Sequence, residues 1–310
     1  MEKLKTIFFG TEKFAETVLD GLLNSNIIDV VLVITQPDKK IGRKQVIEEC
    51  PVKVLAKKYN IPVEQPVSLK NYQVPVADYD LNIVAQYGLI IPQNILDLPK
   101  YKSINVHGSL LPKYRGASPI QSAILNGETE TGNTIMMMDA GMDTGPVLTQ
   151  EAVAIDPDDT YPQLADKMAE KAIILLLNTI PKYVSGEIKP VAQADGATIT
   201  KLLSREDGQV DFNKTNSEIY NQYRGLTPWP GIHTTWNGKR LKLLNVKPCH
   251  PERSEGSLPG KVQIEENKIY IGCSKGSIEI LELQLEGKTP MTAKAFLNGY
   301  KNFNGASLSC

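Results

Sequence analysis

Residues 29–35 read DVVLVIT, an unbroken apolar run between one acidic and one hydroxyl residue. A strand with one wet face alternates apolar and polar positions. A strand without alternation needs cover on both faces, as strands of a parallel sheet between helix layers have. The flanking segments fit that demand. Lys5–Phe9 is apolar and ends at Gly10, and Phe14, Ala15, Val18, Leu19, Leu22 and Leu23 follow at helical spacing. Pro51–Tyr59 reads as a helix with proline at its first position. Leu81–Ala85 and Ser103–Val106 read as strands, Pro119–Leu125 as a short helix and Thr134–Met138 as a strand. This rhythm predicts an α/β fold with an open, mostly parallel, doubly wound sheet.

Asp159 and Thr160 are expected to cap a helix running to about Tyr183, with Leu164, Met168, Leu175, Leu176, Ile180 and Tyr183 as its buried stripe. Ser185–Thr200 lacks apolar periodicity and reads as an inter-domain linker. After a helix at Ser217–Arg224 the pattern changes to short alternating strands at Ile232–Trp236, Arg240–Val246, Lys261–Ile264, Lys268–Ile271 and Ser277–Leu283. These predict a small β-barrel-like second domain. The expected division is residues 1–184, a linker at 185–203, and 204–310. Pro248–Gly260 reads as a surface loop without assigned function.

Several functional classes fall away on composition. A content of 41% hydrophobic and 22% charged residues is that of a globular chain, without an apolar run long enough to span a membrane. MEKLKTIFFG turns polar too soon for a signal peptide. Cys50, Cys249, Cys273 and Cys310 are scattered, so neither a disulfide framework nor a zinc site is expected, and a cytoplasmic setting is. Net charge is −1, with 14 Lys and Arg against 11 Asp and Glu from Ser204 onward, a weakly basic C-terminal part. FFGTEKFAET holds one glycine and no G-x-G-x-x-G, which argues against a dinucleotide. Gly287-Lys288-Thr289 mimics a Walker A ending, but Glu282 stands where its first glycine belongs. Nothing in the sequence calls for a second copy, so a monomer is expected.

Three polar residues remain on apolar or glycine-rich ground. Asn105 and His107 share one face of the strand SINVH by its two-residue period, and ligands of doubly wound sheets sit at the carboxyl ends of strands. Asp143 lies in GMDTG, whose glycines permit tight turns. Such a trio suits acyl transfer to an amine. A histidine backed by a carboxylate takes the amine's proton, and an amide stabilises the oxyanion. No serine or cysteine nucleophile accompanies the trio, which favours direct transfer. The alternative is a satisfied polar cluster at strand ends. The adjoining Ser109-Leu110-Leu111-Pro112 loop could wall a flat heterocycle while its amides read the edge, and Met136-Met137-Met138 reads as core or pocket wall.

INVHGSLLPKYRGASPIQSAILNGETETGNTIMMMDAGMDTGPVL resembles the signature of the 10-formyltetrahydrofolate-dependent formyltransferases. FFGTEKFA, TQPD, PVKVLA, QPVSL, AQYGLIIP, TPWPG and LEGKTPMTAKAFLNGY extend the likeness over nearly the whole chain. The C-terminal matches select the branch whose acceptor is methionyl initiator tRNA. The resemblance implies a Rossmann-like formyltransferase domain followed by an OB-like domain that helps hold the tRNA. It implies 10-formyltetrahydrofolate as co-substrate, with Asn105, His107 and Asp143 catalytic. Ser109, Leu110, Leu111, Pro112, Gln86, Tyr87, Gly88 and Leu89 would form the folate site, and Arg43 and Lys44 would contact tRNA. The family's basic loop here reads KKIGRKQVIEEC, where Glu48-Glu49 replace a neutral stretch. A formyltransferase for a small amine, such as an amino-sugar nucleotide, is the alternative within the same superfamily.

Overall fold

Strand β1 (Leu4–Gly10) is an interior strand of a seven-stranded sheet, and its Ile7, Phe8 and Phe9 are wholly buried. The computed structural model describes residues 2–41, 46–249 and 258–309. In chain order the first part comprises β1, α1 (Lys13–Leu23), β2 (Ile28–Ile34), the antiparallel pair β3 (Lys39–Ile41) and β4 (Val46–Glu48), α2 (Pro51–Lys58), β5 (Val63–Glu64), β6 (Leu81–Ala85) and α3 (Gln93–Leu96). Then follow β7 (Ser103–His107), β8 (Arg115–Gly116), α4 (Pro119–Leu125), β9 (Glu130–Met137), β10 (Val147–Ala154), α5 (Tyr161–Val184) and β11 (Ile199–Thr200).

The sheet order is β10-β9-β7-β6-β1-β2-β5. From β7 to β5 all neighbours are parallel, while β9 runs antiparallel to β7 and β10 antiparallel to β9. The α/β fold with a mostly parallel sheet is thus present, with two antiparallel strands added at one edge. The chain leaves β1 for β2 on one side and returns to β6 on the other. The carboxyl ends of β1 and β6 therefore border a topological switch point, where doubly wound sheets form their ligand crevice. Burial explains the lack of alternation in the central strands: every residue of β6 and β7 is inside. α1 buries Phe14, Ala15, Val18, Leu19 and Leu22.

Contact density divides the chain into two compact units, and the division departs from a cut near residue 184. The first holds Met1–Pro119, Glu130–Ala154 and Leu164–Lys201; the second holds Ile120–Thr129, Ile155–Gln163 and Leu202–Cys310. Two short stretches join the second unit for local reasons. Leu125 packs on its core, and Arg224 donates to the Asp159 carbonyl at 3.0 Å. Tyr220 also donates its hydroxyl to Asp158 at 2.7 Å. Residues 185–201 belong to the first unit, where Val191 bridges Val147 and β11 pairs with β8. α5 starts after Thr160, whose amide and hydroxyl both donate to Gln163 Oε1 at 2.9 and 2.6 Å, while the Asp159 carboxylate accepts from the Asp156 amide at 2.8 Å.

The second unit contains α6 (Asn216–Leu226), started by a capping box in which Thr215 and Glu218 each accept the other's backbone N–H. Its sheet is antiparallel, in the order β12 (Ile232–Trp236), β13 (Lys239–Cys249), β16 (Ser277–Leu285), β15 (Lys268–Gly272) and β14 (Val262–Glu265), with β17 (Met291–Thr292) on β16 and α7 (Ala293–Gly299) following. A bulge near Asn245 shifts the register, so buried positions on β13 step from Leu241 and Leu243 to Val246. Ser309 bridges Thr235 of β12, and Ser307 bridges Lys261 beside β14. The C-terminal tail thus runs along both edges of the sheet, which is antiparallel and not closed into a barrel among the described residues. Trp236, Phe296, Tyr300 and Phe303 form one aromatic cluster, with Trp236 and Phe303 centroids 4.8 Å apart edge to face.

Phe296 is fully buried in that cluster. Phe296→Ala should destabilise the second unit by about 3–5 kcal/mol. Urea unfolding followed by tryptophan fluorescence reads this directly, and a loss under about 1 kcal/mol would mean the ring is not central to this core.

Candidate active site

Asn105 and His107 project from the same face of β7, which is flanked by β6 and β9. Both are buried, at 9% and 5% exposure. Asp143 comes from the turn after β9, and the structure brings all three together. The Asn105 Nδ2 stands 3.5 Å from Asp143 Oδ1, at the long limit of a hydrogen bond. His107 Nδ1 stands 3.6 Å from Asp143 Oδ2. The other ring nitrogen, Nε2, lies 2.9 Å from the Tyr114 carbonyl. A carbonyl can only accept, so Nε2 carries a proton and Nδ1 is left to face the carboxylate. A lone pair on Nδ1 and a charged carboxylate both accept. The pair is satisfied when one proton lies on the Asp143 side of the ring, or when a donor comes between them.

The turn that carries Asp143 is sharply constrained. Asp143 has φ +52°, a left-handed backbone that aspartate tolerates better than most residues. Asp139 Oδ1 closes the turn, accepting from the Gly141 amide at 3.1 Å and the Thr144 hydroxyl at 2.7 Å. Gly145 lies so close to the end of β9 that a Cβ there would stand 2.0 Å from the Met137 carbonyl oxygen. The Asp143 carboxylate is fixed by the Gly116 amide, which donates to Oδ2 at 2.8 Å. Gly116 sits at φ +103°, and β11 runs so close that a Cβ would meet the Thr200 carbonyl oxygen at 2.7 Å.

The Ser109–Pro112 loop folds onto β9 and β10. Ser109 donates its hydroxyl to the Lys113 carbonyl at 2.6 Å, and the Leu111 amide donates to Thr134 Oγ1 at 3.2 Å. Gln150 donates to the Leu111 carbonyl at 2.8 Å. These polar groups are engaged within the protein, so the expected reading of a ligand edge does not fall to the Leu111 amide. The loop's capacity as an apolar wall remains, with Leu111 buried and Leu110 partly so.

Gln86, Tyr87, Gly88 and Leu89 leave β6 at the switch point. The Tyr87 carbonyl accepts from the Thr11 hydroxyl at 3.1 Å and from Gln36 Nε2 at 2.7 Å, which ties together the segments after β1, β2 and β6. The Tyr87 ring turns inward against Phe9 at 5.5 Å, and burial pushes its phenol up to about 12. Tyr87 thus offers a ligand its backbone rather than its ring. Gln86 Oε1 is buried and has no hydrogen-bond partner, an acceptor that a heterocyclic N–H donor would satisfy.

Arg43 and Lys44 lie outside the described residues. Glu49, half of the acidic pair in that loop, forms ion pairs with Lys57 and with Lys53 at 3.1 Å. Asp38 accepts from Lys53 at 2.6 Å, and that ammonium holds its carboxyl below the usual carboxylate range. Glu49 is thus answered by lysines of α2. Sequence reasoning missed two contributors to the site, the Tyr114 carbonyl and the Gly116 amide. Their roles depend on backbone groups and long-range contacts that leave no local pattern.

A sheet edge of this topology with a polar trio at its carboxyl end defines a formyl-transfer class once the comparisons are added. The Formyl transferase family model matches residues 3–180 and the Formyl transferase, C-terminal domain model residues 202–301, so the chain belongs to the formyl transferase family. Among its curated relatives is the methionyl-tRNA formyltransferase of Geotalea uraniireducens, 42% identical over 99% of this chain and 99% of the relative. That of Myxococcus xanthus is 41% identical over 97% and 96%. A solved sugar 3N-formyl transferase, WlaRD, in the presence of dTDP and 5-N-formyl-THF, superposes with a TM-score of 0.65 at 22% identity, covering 93% of this chain and all of that one. HypX from Aquifex aeolicus in complex with tetrahydrofolic acid gives 0.64 at 16% identity, covering 97% of this chain and 48% of that one. At such identities the two structures share the fold.

Gly116→Ala should be destabilising by about 1–3 kcal/mol, because it adds a clash to a left-handed backbone. The check is a thermal melt paired with amide hydrogen exchange at residue 116. An unchanged melt with a protected amide would contradict the tight approach of β8 and β11.

Proposed function

We infer that the chain transfers a formyl group from 10-formyltetrahydrofolate to the free amino group of methionyl initiator tRNA. The observation that carries this reading is a match of about 40% identity to methionyl-tRNA formyltransferases that runs through both units. The geometry supports the same chemistry. The amine nitrogen attacks the formyl carbon, its proton leaves, the carbonyl oxygen becomes an oxyanion, and the bond to the donor nitrogen breaks as that nitrogen gains a proton. Asn105 offers Nδ2 to the oxyanion. His107 Nδ1 and Asp143 Oδ2 take the amine's proton between them and return it to the leaving nitrogen. Burial of Asn105 and His107 keeps their dipoles in a low-dielectric setting, where such contacts are strongest.

The folate donor fits the crevice at the switch point. Gln86 Oε1 supplies an unmet acceptor, the backbone of Tyr87 to Leu89 a wall, and Ser109 to Pro112 the apolar side. Arg43 and Lys44 carry the positive charge that a tRNA acceptor end calls for, and the weakly basic stretch from Ser204 onward supports the same polyanion. We place the protein in the cytoplasm with translation, as a monomer, with the tRNA-holding part beginning near residue 202. Among the described residues, no helix is long and apolar enough to cross a membrane.

Purified protein with 10-formyltetrahydrofolate should formylate charged initiator tRNA. Turnover on an amino-sugar nucleotide instead, with none on the tRNA, would replace the acceptor in this reading. Asn105→Ala, His107→Ala and Asp143→Ala should each lower kcat by ~10²-fold or more, the scale of oxyanion and general-base contributions; near-normal turnover of His107→Ala would remove the imidazole from the mechanism. Arg43→Ala and Lys44→Ala should raise KM for tRNA, most at low salt where the charge contacts are least screened, and leave folate binding unchanged. Equal loss of both would move the loop away from the tRNA.

A further inference from the structure

Residues 191–199 form a segment in which every residue is exposed except Gln193. Its side chain is tucked behind the turn of Asp143. Gln193 Nε2 donates to two backbone carbonyls of that turn, Asp143 at 2.7 Å and Gly145 at 2.8 Å. Its Oε1 accepts a fork of two bonds from Arg115, from Nε at 3.1 Å and Nη2 at 2.7 Å. A guanidinium can only donate, so it fixes which way the amide faces, and the NH2 group must point at the two carbonyls. Both carbonyls belong to the turn in which Asp143 takes its left-handed φ of +52°.

The same segment holds the other partners of the carboxylate. The Arg115 amide donates to the Thr198 carbonyl at 2.8 Å, and the Tyr114 amide to Thr198 Oγ1 at 2.7 Å. Thr200 Oγ1 donates to the Arg115 carbonyl at 3.0 Å. Residues 114–116 are thus held on one side by this strap, and they present the Tyr114 carbonyl to His107 and the Gly116 amide to Asp143.

We propose that Gln193 is a positioning residue for formyl transfer: oriented by Arg115, it fixes the left-handed turn that aims the Asp143 carboxylate at His107. It touches no reacting atom and acts through Asp143. The proposal rests on the formyl-transfer reading of the site, and it adds a residue from the segment that sequence alone presents as a linker. Three chemical features are needed together, namely two donors, one acceptor and the reach of a glutamine, so neither glutamate nor a smaller amide can replace it. Glutamate would keep the bonds from Arg115 but set a carboxylate oxygen against two carbonyls.

The test uses the full chain with Gln193→Met, which keeps the volume, and Gln193→Glu, which keeps the Arg115 contact. Both should lower kcat by ~10–100-fold, the scale of a small misplacement of a reacting group, with KM for tRNA and folate within about twofold. In an Asp143→Asn background, Gln193→Met should produce no further loss, since its effect passes through the carboxylate. The Gly116 amide resonance, which reports the bond to Asp143, should shift in Gln193→Met whether or not substrate is present. Unchanged kcat, an equal further loss in the Asp143→Asn background, or an unmoved Gly116 amide would each overturn the proposal. Absence of formyl transfer by the unaltered protein would overturn the functional reading alone; the amide shift would then still support the coupling of Gln193 to Asp143.

Discussion

One carboxylate in a left-handed turn is the constraint on which the site depends. Asp143 receives the Gly116 amide at 2.8 Å, stands 3.6 Å from His107 Nδ1 and lies 3.5 Å from Asn105 Nδ2. The neighbours are supplied by two elements, β7 for Asn105 and His107 and β8 for Gly116, so the cluster exists only after β7, β8 and the turn beyond β9 have come together. The Tyr114 carbonyl completes the logic by occupying the far nitrogen of the imidazole. A histidine held at Nε2 has its ring orientation set, with Nδ1 turned toward the carboxylate.

Much of this was legible in the sequence because it follows from local periods. The unbroken run in DVVLVIT announces a doubly covered strand, and the two-residue period of SINVH places Asn105 and His107 on one face. Five strands of the second unit were readable from short alternation, though the bulge near Asn245 was not, since one extra residue leaves no compositional mark. β10 went unseen because VLTQEAVA is a half-exposed edge strand rich in polar residues. The assignment of Ile120–Thr129 and Ile155–Gln163 to the second unit was equally hidden. It arises from contacts such as Arg224 to Asp159, whose partners lie 65 residues apart. Gln193 was the deepest miss, a single glutamine in a segment with no pattern.

The surface around Lys39–Cys50 shows how a departure from family pattern can be absorbed. Glu49 looks, in sequence, like an acidic intrusion into a basic loop. In the fold it faces Lys53 and Lys57, and Lys53 also holds Asp38. Its charge is answered within the protein, at an exposed position where each pair is individually weak and screened by salt.

The strap from Gln193 to Thr200 has a consequence for how such a chain can vary. Between its anchors at Gln193, Thr198 and Thr200, the side chains face solvent and meet little. Substitutions there are cheap. Insertions and deletions are not, because one anchor grips the turn of Asp143 while the others grip residues 114–116, and the contour between them is set by those two grips. The segment is permissive in letters and strict in length, a ruler laid between two parts of one catalytic cluster.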